Sequence, residues 1–262
     1  MLAILYFFFY FAWGFNYFRP KMENRIGWEK PLPDEAFFRE ILDSIIVETN
    51  RSHSIIVPSD YKGIDSLIEI SYRNNAGALG IDYPNGSRRP KTMILSSIFA
   101  KSGVSGYFGP FFNEVHLNNY LLPMEYPFVL AHEKAHQFGI TSEAEANFAA
   151  FLICTTSADH RLQYSGNMQL LLYFLADAHQ LKDRNVYISR IDSLVIKDIK
   201  EQRKHWQDME NKTLDKVQTA ANNAYLKSNR IEEGVKNYNN VVSLVITWYF
   251  NKMQHPGDFS NR

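Results

Sequence analysis

Residues 130–148 read LAHEKAHQFGITSEAEANF, and their spacing predicts both a local structure and a chemistry. Gly139 suits the left-handed end of a helix that carries His132, Glu133 and His136 as the pattern H-E-x-x-H. Four residues at about 100° each bring the second histidine within about 40° of the first. Both imidazoles can therefore reach one cation from the same helix face.

The residue types in this pattern are those of a catalytic zinc site. Neutral imidazoles bind zinc well, and catalytic sites usually combine three protein ligands with one open position. Glu133 projects beside the metal, where a carboxylate can accept a proton from a water that the metal acidifies. A structural helix with histidines in the core or at the surface could carry the same pattern. The acidic residues that follow favour the metal site.

Two glutamates downstream are candidates for the third ligand. Glu143 and Glu145 are two residues apart, about 200° around a helix, so they cannot both face one metal. Ser142 and Glu145 match a capping box, which gives Glu145 a structural role at the start of the next helix. We therefore favour Glu143 as the ligand and keep Glu145 as the alternative.

Composition limits the classes of protein to consider. The chain has 262 residues, of which 45% are hydrophobic, enough to bury a substantial core. With 28 basic and 28 acidic residues, the formal net charge is zero, and no nucleic-acid partner is expected. A single cysteine, Cys154, excludes an internal disulfide and a cysteine-rich metal site.

The N-terminal segment is strongly apolar. Residues 1–18 contain no charged side chain and would span about 27 Å as a helix, close to the thickness of a bilayer. A signal peptide is less favoured because no basic stretch precedes the apolar run, and a buried core helix is the other alternative. We expect a transmembrane helix at 1–18 with the lipid bilayer as partner, a linker at 19–33, and one domain at 34–262.

The body of the chain is predicted to be mainly α with a small β-sheet, an α+β fold. Asp34 can cap a helix whose apolar residues recur every three or four positions, and another helix is expected at about 59–75. Residues 106–122 contain an alternating strand pattern, and Pro110 favours an edge strand or a strand start. Such an edge could hold an extended peptide, or it could only pack on the helix. The C-terminal part is predicted to be helical, and 239–250 is expected to be a core or groove-lining helix.

Two resemblances extend this interpretation. The H-E-x-x-H segment resembles the gluzincin metallopeptidases, which complete the metal site with a glutamate in an E-x-x-A-D/N pattern that Glu143, Ala146 and Asn147 match. The whole chain resembles an uncharacterised bacterial membrane family, DUF3810, through WGFNYFRP, SGYFGPFFNEVHLNN, the H-E-x-x-H-Q-x-G stretch and VVSLVITWY in this order. They imply a zincin-like domain in the bacterial inner membrane, of undetermined orientation, with further spans upstream. Lys134 and the neutral Asn147 depart from the better-known gluzincins.

Two functions are compatible with these observations. The first is a membrane-anchored zinc peptidase, in which His132, His136 and Glu143 bind Zn²⁺ and Glu133 activates water against a peptide or protein substrate. The second is a non-catalytic membrane-associated scaffold with a structural zinc site. Glu133 favours the enzyme, because a structural site needs no base. Four other side chains are less favoured candidates for stabilising an oxyanion beside the metal, because each is more often structural: Tyr107, His116, His160 and Tyr164.

Overall fold

The computed structural model describes residues 2–86, 88–211 and 240–255, together with 213, 214 and 216. Helices dominate, and three short strands form a small sheet, so the predicted α+β class is confirmed. The helices are α1 (Leu2–Ala12), α2 (Met22–Ile26), α3 (Glu35–Ser52), α4 (Tyr61–Asn75), α5 (Ser96–Lys101), α6 (Tyr126–Gln137), α7 (Glu143–Thr155), α8 (His160–Asp177), α9 (Arg184–Ser189), α10 (Ser193–Met209) and α11 (Asn240–Gln254).

The sheet has three short strands in the order β1-β3-β2. They are β1 (Lys91–Thr92), β2 (Gly106–Gly109) and β3 (Glu114–Leu117). β1 runs parallel to β3, and β2 pairs antiparallel with β3 to form a hairpin. The alternating pattern read from the sequence thus contains two strands, joined by a turn in which Asn113 has a φ of 55°. β2 lies at one edge of the sheet and contacts α6.

Local signals in the sequence explain where several helices begin and end. The Asp34 carboxylate accepts a hydrogen bond from the Ala36 N–H at 2.8 Å, which is the cap expected for α3. α4 begins at Tyr61, after a short 3-10 turn over Pro58–Asp60, close to the expected start. Gly139 has a φ of 87° and ends α6 in the left-handed region, as predicted.

The core is built around α7, which is buried along most of its length. α6 and α8 pack on it, and α11 covers a further face with its own apolar side chains. The Trp248 ring of α11 meets Phe148 and Phe151 of α7, with ring centroids 6.4 and 5.8 Å apart. The prediction of a core helix near the C-terminus is therefore confirmed. Residues 212, 215 and 217–239, which belong to the C-terminal part predicted to be helical, lie outside the described residues.

The predicted membrane span at residues 1–18 is wrong. Helix α1 has 11 residues and is followed by a 3-10 turn over Gly14–Phe18. In the part of the chain that the structure describes, no helix combines the length and the apolar character needed to cross a bilayer. The composition suggested a span because it counts apolar residues, whereas the break after Ala12 depends on contacts that the segment makes elsewhere.

Residues 19–33, expected as a linker, also contact the body. Met22 of α2 is fully buried. Farther along, the Asn251 side chain of α11 binds the backbone of Glu29 twice, accepting from its N–H at 3.0 Å and donating to its carbonyl at 2.8 Å. These contacts hold the segment against the helical core.

Candidate metal centre

Helix α6 presents two opposite faces to different surroundings. Tyr126 opens the helix and Pro127 occupies its first turn, where a missing N–H costs no hydrogen bond. Leu130, Ala131 and Ala135 are fully buried. His132 and His136, one turn apart, are left on the face that meets the start of α7.

The structure brings the three predicted ligands together. Nε2 of His132 lies 3.2 Å from Nε2 of His136. The Glu143 carboxylate lies beside both, at 3.2 Å from Nε2 of His132 and 3.5 Å from Nε2 of His136. All of these candidate ligand atoms lie within 4.8 Å of one another. One cation could therefore contact all three side chains after small adjustments.

The hydrogen bonds on the far side of each ring show which nitrogen atoms face the cluster as acceptors. Nδ1 of His136 donates to the Ile140 carbonyl at 2.7 Å, and Nδ1 of His132 donates to Oδ1 of Asn147 at 2.9 Å. Both neutral rings then present the lone pair of Nε2 to the same point. Two lone pairs at that separation repel each other unless a cation, either a proton or a metal ion, lies between them.

Charge within the cluster agrees with this description. Burial alone would lower the pKa of His136, but the nearby Glu143 carboxylate outweighs it and raises that pKa to about 9. Burial would raise the pKa of Glu143, whereas His136 and His132 lower it well below its usual range. The ligand set therefore favours a positive charge at its centre, which a divalent metal ion would supply.

Glu133 lies beside the ligands without joining them. It is 6% exposed, and burial raises the pKa of its carboxyl group against the opposing effect of the two histidines. The polar backbone of Phe108 in strand β2 also lowers the pKa of this carboxyl group. The Glu133 side chain thus lies between α6 and the edge of the sheet, where a general base for a metal-bound water would be expected.

Glu145 has a different set of partners from Glu143. Its Oε1 accepts from the Met22 N–H at 2.8 Å, and Oε2 lies 3.8 Å from the Arg25 guanidinium. Ser142 Oγ accepts from the Glu145 N–H at 3.5 Å, which is the predicted N-cap contact of α7. The Glu145 side chain therefore ties α7 to α2, and the geometry favours Glu143 as the ligand.

Lys134, the departure inside the motif, points to the opposite side of α6. It is fully buried and forms an ion pair with Glu69 of α4, and its Nζ donates to the Arg88 carbonyl at 2.6 Å. Glu69 also pairs with the Arg88 side chain at 3.1 Å. This network joins α6 to α4 and to the segment before β1. Lys134 thus holds the face of α6 that lies opposite His132 and His136.

The N-terminal segment contacts the turn between α6 and α7. Trp13 Nε1 donates to the backbone carbonyl of His136 at 3.0 Å, and Arg19 Nη1 donates to the Gly139 carbonyl at 3.4 Å. The Trp13 ring also packs against Phe108, with centroids 5.3 Å apart. Trp13 and Arg19, which lie more than 100 residues earlier in the chain, thus contact the C-terminal end of α6.

The residues considered as oxyanion stabilisers lie in other environments. Tyr164 donates to Asp198 at 2.6 Å. Tyr107 and His116 stack on each other across β2 and β3, with centroids 4.7 Å apart. His160 is exposed at the start of α8. None of these side chains belongs to the ligand group found among the described residues.

Comparison with known proteins assigns the family. A family model described as "Protein of unknown function (DUF3810)" matches residues 1–246. The chain belongs to this family. No curated protein and no solved structure is significantly similar to it. The resemblance to DUF3810 is therefore confirmed, whereas the gluzincin relationship depends on the motif and on the site geometry alone.

Sequence reasoning missed two kinds of residue around this centre. Gly106 lies against Glu133, and a glycine inside a strand is a known signal of close approach that could have identified it. Trp13 and Lys134 carried no such signal. Their partners lie on other elements, so only the tertiary structure shows what they contact.

Proposed function

We propose that this DUF3810 protein is a zinc-dependent peptidase, with His132, His136 and Glu143 as ligands and Glu133 as general base. The observation that carries the proposal is the facing pair of Nε2 atoms, 3.2 Å apart, with one carboxylate beside both. Neutral imidazole nitrogens and a carboxylate are ligands that zinc accepts, and three of them leave an open position.

The side chains of the chain then have separate roles. When bound, Zn²⁺ would acidify a coordinated water and polarise the carbonyl of a peptide bond. Glu133 takes the proton of the attacking water and delivers it to the departing amine nitrogen. Asn147 and the Ile140 carbonyl orient the two imidazole rings through Nδ1, as second-shell groups do in zinc sites.

A peptide substrate is supported by the position of the sheet edge. β2 is an edge strand, and its Gly106 lies directly against the Glu133 side chain. An extended peptide can add to such an edge through main-chain hydrogen bonds, which would bring a scissile bond close to the base.

The first test measures zinc binding, and the second measures peptide cleavage. The purified chain should bind about one zinc, as a three-ligand site implies, and removal of both histidines should abolish binding. Chelator-sensitive cleavage should then be found in a peptide library. Glu133→Gln retains the size of the side chain and should retain zinc, but it should reduce cleavage by about 10²- to 10⁴-fold. Equal cleavage by wild type and variant at equal zinc occupancy would contradict the role of Glu133.

The alternative is a scaffold with a structural zinc site, and the same experiments separate it from an enzyme. Structural zinc sites are usually closed by four protein ligands, whereas the group found within the described residues has three. A scaffold would bind zinc and unfold more easily without it, yet no peptide would be cleaved. Zinc binding without any cleavage across a broad library would favour this alternative.

A further inference from the structure

The Glu133 side chain occupies space that is open only because residue 106 is glycine. A Cβ placed on Gly106 would lie 2.8 Å from both Cγ and Oε1 of Glu133, and 3.0 Å from Cγ1 of Val129. Carbon atoms that are not bonded to each other pack at about 3.5–4.0 Å, so such an approach is strongly repulsive. Any larger residue at position 106 must displace the Glu133 side chain or move the strand away from it.

Backbone conformation does not by itself require glycine at this position. Gly106 belongs to strand β2 and is not one of the glycines with positive φ. An alanine could therefore adopt the same backbone angles. The close contact with α6 remains as the reason why a side chain is excluded.

The hydrogen-bond pattern of the hairpin explains the second contact. The Asn118 N–H donates to the Ser105 carbonyl at 2.9 Å, which makes this pair a hydrogen-bonded one. Bonding alternates along an antiparallel ladder, so the pair of Phe108 with Val115 is a non-bonded one. The Phe108 N–H consequently points away from β3, toward the free edge, and the Phe108 backbone lowers the pKa of the Glu133 carboxyl group.

We propose that strand β2 positions Glu133: Gly106 leaves the space for its carboxylate, and the Phe108 N–H fixes the direction in which it points. Gly106 is then a positioning residue rather than a catalytic one. The catalytic consequence rests on the proposed function, but the contact itself exists without metal or substrate. A misplacement of about 1 Å can reduce an enzymatic rate by about 10²-fold, so the space beside Gly106 would matter for turnover.

The chain offers a matched control on the same strand. Gly109 also lacks a positive φ, and a Cβ there would meet the Glu114 carbonyl oxygen at 3.5 Å, an ordinary contact. Gly106→Ala and Gly109→Ala therefore make the same chemical change in β2. Only the first should move the Glu133 carboxylate.

Amide hydrogen exchange of Phe108, measured on metal-free full-length protein labelled with ¹⁵N-phenylalanine, tests the contact without any activity. Loss of a hydrogen bond to a charged acceptor should speed exchange about 10- to 100-fold in Gly106→Ala and in Glu133→Ala, and little in Gly109→Ala. Equal rates in Gly106→Ala and wild type, or equal acceleration by both glycine variants, would overturn the inference. If Gly106→Ala does not fold, Gly106→Ala/Glu133→Ala should, because the closest obstructing atoms, Cγ and Oε1 of Glu133, are gone and only the contact with Val129 Cγ1 at 3.0 Å remains; failure of both would also overturn the inference.

The second measurement addresses catalysis. At equal zinc occupancy, Gly106→Ala should lower kcat by about 10²-fold with little change in KM. An unchanged kcat in Gly106→Ala would remove the positioning role. Full activity in Glu133→Gln would instead overturn the proposed function and leave the exchange result for the contact intact.

Discussion

Replacing Glu143 by glutamine should separate the proposed ligand from the neighbouring glutamate. The change keeps the shape of the side chain but removes the charge that lies beside His132 and His136. Loss of a second-shell partner typically weakens metal binding by about 10- to 100-fold, so loss of a direct charged ligand should cost at least about 100-fold. The matched control is Glu145→Gln, because its retained Oε1 can still accept from the Met22 N–H.

Unfolding in urea at a fixed free zinc concentration measures this difference. At a zinc concentration of about 100 times the wild-type Kd, zinc stabilises the folded wild type by about 2.7 kcal/mol. A variant that binds 100-fold more weakly gains only about 0.4 kcal/mol there, so it should lose about 2.3 kcal/mol of zinc-dependent stability. Glu145→Gln should retain the full zinc-dependent increment. If only Glu145→Gln loses it, the third ligand has been assigned to the wrong glutamate.

Three further predictions concern proton release on zinc binding, the orientation of the His132 ring, and the buried ion pair of Lys134. Because the pKa of His136 is raised to about 9, this residue holds a proton below that pH, so zinc binding should release about one proton per chain at neutral pH and fewer above pH 9. Titration calorimetry in buffers of different ionisation enthalpy measures the number of protons released, and a number that does not fall across pH 9 would contradict the prediction. Asn147→Ala removes the acceptor of His132 Nδ1 and should weaken zinc binding by about 10- to 100-fold in competition with a chelator, so an unchanged Kd would deny the ring contact a role. Glu69→Gln leaves Lys134 buried without its partner carboxylate and should cost about 3–5 kcal/mol in urea unfolding; a cost below about 1 kcal/mol would show that the pair is unimportant.

The parts of the site that follow from local spacing were predictable from the sequence. Helical periodicity placed His132 and His136 on one face, and the two-residue offset between Glu143 and Glu145 separated the candidate ligand from a residue with other partners. The N-cap at Asp34 and the left-handed Gly139 follow from residue type alone.

Features that depend on tertiary contacts were not predictable in the same way. The apolar composition of residues 1–18 favoured a long helix, but the chain turns after Ala12 and directs Trp13 to the His136 carbonyl. The alternating pattern around Pro110 did not reveal that a hairpin divides it. Lys134 appeared only as a departure from a motif, because its partner Glu69 lies 65 residues earlier in the chain.

Helix α11 has a consequence for the order of events during synthesis. Trp248 covers Phe148 and Phe151 on the helix that carries Glu143, and Asn251 closes onto Glu29, 222 residues earlier. A nascent chain that lacks α11 therefore leaves both phenylalanine rings without the Trp248 ring, although every candidate metal ligand has already been made. Domains complete their folding as units, and exposed apolar surface makes unfinished chains prone to aggregation. The ribosome must therefore release the residues of α11 before α7 has its full set of neighbours.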